Sequence, residues 1–370
     1  MGYDVKCSAC GRSSEDLLDF RCGSCGHPVD LQIRFDFEIS RIRKSYYGVW
    51  RYAEFFPYVR EHEIVTLGEG WTPLVEFSDK VYFKLESLNP TGSFKDRGSS
   101  VLVSALHRLI EEKSGYVSED SSGNAGASMA AYAARAGLRA KIYVPEMVAG
   151  PKFDQIRFYG ADVVKVSGSR AKVAEDAQKI ESGKFYVGHI LHPIFRDGIR
   201  SLAYELAEQS CWKLPERVYL PVSAGTLLLG VISGLKHLKN SQAIKTMPRI
   251  VASQTRQVSP LYHHMKGTKY EPPEKITSVA DALVSVNPPL LSLMVKNLKE
   301  VNGDAVMVEE NEILEAFTEL AKKGFFVEPS SAVAYAAYKK QLNSGEVSRD
   351  SSVGSVLTGV GLKTMLKPRL

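Results

Sequence analysis

From about residue 81 the chain alternates short apolar runs with Ala-rich stretches whose apolar positions recur every three to four residues. The runs 81–84, 115–118, 141–144, 218–222, 249–252 and 353–357 read as strands, being short, rich in Val, Ile, Tyr or Phe, and bounded by turn residues. Between them, 98–109, 125–136, 171–180, 195–208 and 227–238 read as helices, and 157–166 as a further helix-to-strand step. Pro145 closes the run 141–144, because a residue without an N–H cannot continue a ladder. Strands that alternate with helices form βαβ units and hence parallel sheet, so the expected fold class is α/β with more than one wound sheet segment.

A length of 370 residues, 44% of them hydrophobic and 24% charged, bounds the chain to one or two compact domains. The net charge of +5 is spread along the sequence, with no basic block of the kind that marks a nucleic-acid partner; a small anionic ligand accounts for it as well. No apolar stretch approaches the roughly 18 residues of a membrane span, and the start MGYDVKCSAC lacks the basic-then-apolar order of a signal peptide. The expectation is a cytoplasmic protein without a membrane partner.

Four of the five cysteines fall in the first 25 residues, as two pairs, Cys7 and Cys10, then Cys22 and Cys25. Each pair is followed by a glycine, Gly11 or Gly26, able to take the positive φ of a turn around a metal. Two C-x2-C knuckles suit tetrahedral zinc better than reduced surface thiols or a redox dithiol, which comes singly beside a βαβ unit. Four protein ligands leave no open position, so such a zinc is structural. Segment 1–30 is not basic, which argues against a nucleic-acid ribbon.

Three loops carry candidate chemistry. Asn89-Pro-Thr-Gly-Ser-Phe-Lys95-Asp96-Arg97-Gly98 sets one lysine just before a helix, where the helix end and Arg97 are expected to weaken its hold on a proton; alone, the segment reads equally well as a solvated charge cluster. Ser121-Ser122-Gly123-Asn124-Ala125-Gly126 follows a strand and opens a helix, so its small residues let backbone N–H groups face an anion. An ordinary helix cap is the alternative there. Ser223-Ala224-Gly225-Thr226-Leu227 lies between a strand and a helix and is a candidate phosphate cradle by the same logic.

The lysine loop resembles that of the tryptophan-synthase-β-like enzymes, threonine synthases in particular, and the resemblance extends from Gly68 to Lys363. It implies pyridoxal 5′-phosphate (PLP) fold type II, with two three-layer α/β domains of mostly parallel sheet behind an N-terminal zinc ribbon. Its implied boundaries are 1–30 for the ribbon, 31–99 with 187–370 for a large PLP-binding domain, and 100–186 for a small mobile one. Lys95 is then the catalytic lysine, holding PLP as an aldimine and serving as the base at Cα. By the same resemblance, Asn124 bonds the cofactor's phenolic oxygen, and Ser121 and Ser122 contact substrate. Ser223, Ala224, Gly225, Thr226 and Leu227 hold the phosphate, and Thr358 meets the pyridine nitrogen. Glu328-Pro-Ser-Ser-Ala332 resembles the loop beneath the ring.

The stretch His192-Pro-Ile-Phe-Arg196-Asp-Gly-Ile-Arg200-Ser201 stands where threonine synthases bind the leaving phosphate of O-phosphohomoserine, which makes Arg200, Arg196 and His192 substrate candidates. His192 replaces the expected Asn, and Gly225-Thr226 is closer to the loop of cysteine synthases than to the twin-Asn loop of threonine synthases. The implied reaction is threonine synthesis from a small anionic amino acid by a homodimer. The alternative is β-replacement or elimination on O-phosphoserine, O-acetylserine, serine or threonine.

Overall fold

The computed structural model describes residues 2–14 and 16–364. Three sheets organise it. A small antiparallel sheet of order β2-β1-β3 joins β1 (Tyr3–Cys7), β2 (Ser13–Ser14) and β3 (Val29–Ile33). Its third strand runs past residue 30, where the ribbon was expected to end. The chain then crosses a segment with three 3₁₀ turns to β4 (Leu74–Ser78), β5 (Val81–Lys84) and α1 (Lys95–Glu112).

A four-stranded parallel sheet follows, of order β8-β7-β6-β9. It is built from β6 (Tyr116–Glu119), α2 (Asn124–Arg135), β7 (Ala140–Pro145), α3 (Pro151–Phe158), β8 (Asp162–Val166), α4 (Arg170–Gln178) and β9 (Lys184–Tyr186). The chain returns through α5 (Pro193–Ile199) and α6 (Ser201–Gln209) to β10 (Arg217–Pro221), α7 (Thr226–Asn240), β11 (Arg249–Thr255), α8 (Pro260–Lys266), α9 (Leu291–Glu300), β12 (Asp304–Val308), α10 (Glu310–Lys322), α11 (Pro329–Asn343) and β13 (Val353–Val356). These complete a six-stranded sheet of order β12-β11-β10-β13-β5-β4, parallel except for β4. The single helix expected over 195–208 is thus two, meeting at Arg200, whose own backbone stays helical at φ −53° and ψ −32°.

The large sheet explains why its strands read as unbroken apolar runs. Side chains alternate across a strand, and here both faces are covered. Val218, Leu220, Ile250 and Ala252 pack with Leu228, Val231 and Leu235 of α7 on one face. Tyr219, Val251 and Val306 pack with Ile313 and Leu320 of α10 and Ala332 and Ala336 of α11 on the other. The small sheet at the N-terminus shares the first of these cores through Val5, Cys7, Val29 and Leu31. No described helix is long and apolar enough to cross a membrane.

Beneath the first turn of α1 lies a buried ion network. Arg97 Nε and Nη2 each donate at 2.7 Å to the two oxygens of Glu86, while Nη1 and Nη2 reach those of Glu205 at 2.8 and 2.9 Å. Lys84 pairs with Glu205 as well, and all four residues are 0–1% exposed. Two cations thus match two carboxylates, which is the condition for keeping such charges away from water. Replacing Arg97 by Met would leave two buried carboxylates facing one lysine; a loss of about 3–5 kcal/mol in urea unfolding is expected. A loss below about 1 kcal/mol would show that water or proton uptake had replaced the guanidinium.

Candidate active site

In parallel sheets ligands meet the chain beyond the C-terminal ends of the strands. The sheet order β10-β13-β5 therefore decides which loops are neighbours. Beyond β10 comes the cradle 223–227, beyond β13 comes Thr358, and beyond β5 comes the lysine loop. The last two are zipped together by backbone bonds, Phe94 N–H to Thr358 C=O at 3.1 Å and Val360 N–H to Gly92 C=O at 3.0 Å. Ser121 and Asn124 arrive from β6 of the other sheet.

Lys95 is the first residue of α1, and its Nζ lies 3.4 Å from Thr226 Oγ1, at the N-terminus of α7. Burial holds the Lys95 amine below its usual range, at about 8, against an opposing pull from the Glu119 carboxylate. The direction matches the expectation from sequence, but Arg97 is not the cause, because Glu86 and Glu205 cancel its charge. The cradle turns on Gly225, whose φ of +98° excludes most side chains and whose Cβ would stand 2.3 Å from Met294 Sδ. Ser223, Ala224 and Leu227 complete that loop and first turn, where the first N–H groups of a helix have no partner within the helix itself.

Thr358 Oγ1 shares a hydrogen bond of 2.9 Å with Ser331 Oγ, and both are buried. Ser121 is buried and its hydroxyl accepts from Gly123 N–H at 3.3 Å; Ser122 is half-buried beside it. Asn124, the first residue of α2, donates from Nδ2 to Glu328 Oε2 at 2.8 Å and accepts at Oδ1 from Lys363 Nζ at 3.0 Å. These donor sets fit PLP: an amine of lowered proton affinity beside a turn at a helix N-terminus that requires glycine, with a hydroxyl from the loop after β13.

The sequence did not single out Glu119 and His189. His189 Nδ1 is 2.8 Å from Glu119 Oε1, and its backbone N–H donates to Oε2 at 2.9 Å. Burial raises the Glu119 carboxyl to about 7 and pushes His189 well below its ordinary value, so the imidazole is neutral and one proton joins the pair, on Nδ1 or on the carboxyl. An acidic residue at the end of a strand buried in a parallel sheet was the available signal, since such a charge needs a partner.

His192, Arg196 and Arg200 are placed differently from what the resemblance implied. Arg196 donates to the carbonyls of Ile190, Leu191 and Val29 and to Asp30, which fastens α5 to β3. Arg200 is fully buried on Phe55 C=O and Asp197, at 2.6 and 2.9 Å. Both line a cavity of about 450 Å³ between β3, α5 and α7, whose walls do not include Lys95. His192 is wholly buried with neither ring nitrogen partnered, and burial lowers it to about 3. Phe195, from the same stretch, is the residue that meets the lysine, with its ring centre 5.9 Å from Lys95 Nζ.

Near the N-terminus, the sulfurs of Cys7, Cys10, Cys22 and Cys25 lie within 4.8 Å of one another, with Cys7 and Cys22 buried and the other two exposed.

Residues 65–359 match the family described as pyridoxal-phosphate dependent enzyme. The chain belongs to that family. It is 33% identical to a threonine synthase of Methanocaldococcus jannaschii over 97% of this chain and 92% of that one. A threonine synthase of Halalkalibacterium halodurans is 34% identical over 84% of this chain and 88% of its own. Among solved structures, maize serine racemase superposes with a TM-score of 0.66 at 23% identity, covering 88% of this chain and 94% of that one, a likeness of fold. The architecture is PLP fold type II.

The amine reacts with a carbonyl only when neutral, and Lys95 is protonated below its pKa. PLP loading onto apo-protein, followed by stopped-flow absorbance, should therefore quicken with pH and reach half its maximal rate at about 8. Lys95→Ala should form no Schiff-base band at any pH, keeping only the absorbance of the free aldehyde. A midpoint at about 10, the ordinary lysine range, would sink the burial account.

Proposed function

We propose that the protein is a threonine synthase that converts O-phosphohomoserine and water to threonine and phosphate. The observation that carries this reading is the near-full-length likeness to threonine synthases, on a chain in which Lys95, the Gly225 turn and Thr358 come together. PLP, when bound, supplies the electron sink at Cα. The protein's residues do the rest. Lys95, of low proton affinity, takes the proton from substrate Cα and returns protons where they are needed. The N-terminus of α2 with Ser121 and Ser122 receives the substrate carboxylate. Ser223 to Leu227 hold the cofactor phosphate, and Asn124 and Thr358 orient the ring. Thr358 offers the ring nitrogen a hydroxyl rather than a carboxylate, which favours elimination and replacement over transamination.

In this reading residues 100–186 form the small domain, which closes and excludes water. The protein works as a cytoplasmic homodimer on a small anionic amino acid, and light scattering tests the dimer.

A second reading is favoured by one observation. The arginines expected to hold the leaving phosphate, Arg196 and Arg200, are spent on protein acceptors. That fits β-elimination or β-replacement on O-acetylserine, serine or threonine, where no phosphate departs. A panel of these substrates with O-phosphohomoserine and O-phosphoserine separates the two, with Lys95→Ala as control. Threonine and phosphate in equal amounts from O-phosphohomoserine support the first reading. Keto acid and ammonia from serine or threonine would replace it.

We also infer that the four cysteines hold structural zinc. A tetrahedral ion at a Zn–S length of about 2.3 Å sets sulfurs about 3.8 Å apart. Sulfur separations of 3.4, 3.6 and 3.7 Å, with all four sulfurs within 4.8 Å of one another, support that reading. Metal analysis should find one zinc per chain, and Cys22→Ser should lower both zinc content and melting temperature. Turnover lost on chelation while melting stays unchanged would instead place the metal in the chemistry.

A further inference from the structure

The side-chain amide of Asn124 looks nearly the same either way round, yet only its NH2 end can donate to an anionic oxygen. In this protein two charged groups settle which end lies where. Lys363 Nζ stands 3.0 Å from one end and Glu328 Oε2 2.8 Å from the other. An ammonium has only N–H to give and a carboxylate only lone pairs to receive, so the carbonyl faces Lys363 and the NH2 faces Glu328. Turning the amide over would set NH2 against an ammonium and C=O against a carboxylate. Glu328 uses one of the two amide hydrogens, which leaves one.

The surroundings hold both charged groups in place. Glu328 is 1% exposed and Lys363 8%. The Glu328 backbone N–H donates to Gly359 C=O at 2.9 Å, and a Cβ on Gly359 would lie 2.3 Å from Glu328 Oε2. The second oxygen of Glu328 faces Lys152 Nζ at 2.8 Å, and Lys152 also reaches Asp281 at 2.9 Å. The charged groups around the amide are therefore Lys363, Glu328 with Lys152 of α3 and Asp281 behind it, and Asp96 of α1, which also acts on Lys363. Burial lowers the Lys363 amine to about 8. One oxygen of Glu328 keeps its ion pair with Lys152, while its other oxygen and Lys363 each bond the amide between them.

We infer that Glu328 and Lys363 are positioning residues that lock the Asn124 amide in the orientation whose free N–H donates to the cofactor's phenolic oxygen. The inference rests on the reading of Asn124 as ligand of that oxygen and is independent of which substrate the enzyme takes. A phenolic oxygen that loses its donor holds a proton to higher pH. Without Lys363 or Glu328 the amide is free to turn, and the donor is lost for part of the time.

The test uses holoenzyme, reads the visible cofactor band as a function of pH, and measures the PLP dissociation constant, with circular dichroism to confirm folding. Lys363→Met and Glu328→Gln should each move the band's pH midpoint upward and weaken PLP binding by about tenfold, the worth of one hydrogen bond to a charged acceptor. Lys363→Arg, which still only donates, should keep wild-type values. In an Asn124→Ala background, Lys363→Met should shift the midpoint no further. Unchanged spectra in both single variants, or the same shift with Asn124 absent, would overturn the inference. A wild-type protein with no visible band would instead remove the PLP reading on which it rests.

Discussion

The site depends on the fact that Arg97 must point inward. Its guanidinium is held by both carboxylates of Glu86 and Glu205, from the turn after β5 and from α6, with Lys84 completing the charge balance. Charges kept from water in this way tolerate only a narrow set of geometries, because each carboxylate oxygen must find its N–H. Two residues along a helix turn the direction of a side chain by roughly 200°. Fixing Arg97 on one side therefore sends Lys95 to the other, toward Thr226 and the N-terminus of α7. Asp96, between them, bonds Thr91 N–H at 2.7 Å and Ser128 Oγ at 2.6 Å, tying the loop to itself and to α2. In Lys95-Asp96-Arg97 one residue faces the site and two anchor it.

The same constraint explains what could be read from sequence. Strands of the large sheet are apolar on both faces, and β5, β10, β11 and β13 fall within a residue or so of their expected positions at one end or both; β11 alone extends three residues further. α10 went unassigned, although Ile313, Ala316 and Leu320 recur at helical spacing behind the Glu309 and Glu312 capping box. The motifs at strand ends were legible because a ligand loop in a parallel sheet needs small residues at a helix N-terminus, and the chain supplies them at Ser121 to Gly126 and Ser223 to Leu227.

Partners distant in sequence were not legible. Arg196 lies in the last turn of α5 and Arg200 at its junction with α6, and nothing local says that the carbonyls of Val29 and Phe55 await them. The depressed proton affinity of Lys95 could be anticipated, but its cause could not: Arg97 looks like a repelling neighbour until Glu205, more than a hundred residues on, is seen to neutralise it. Glu119 and His189 likewise meet across 70 residues. Spacing within a motif places a loop at a strand end, whereas charge in a motif means little until its counter-charge is known.

This bears on the N-terminal knuckles. They look like a detachable module, yet their sheet continues to Ile33 and shares the main core, and Arg196 fastens β3 to α5. The next residue back from Arg196 is Phe195, whose ring lies against Gly98 and near Lys95. A metal held by the four cysteines would brace β1 and the loops beside β3, and would thereby limit how far α5 can shift, and with it the wall beside the lysine. Such coupling needs no contact between metal and substrate, because packed side chains in a close-packed core transmit displacement.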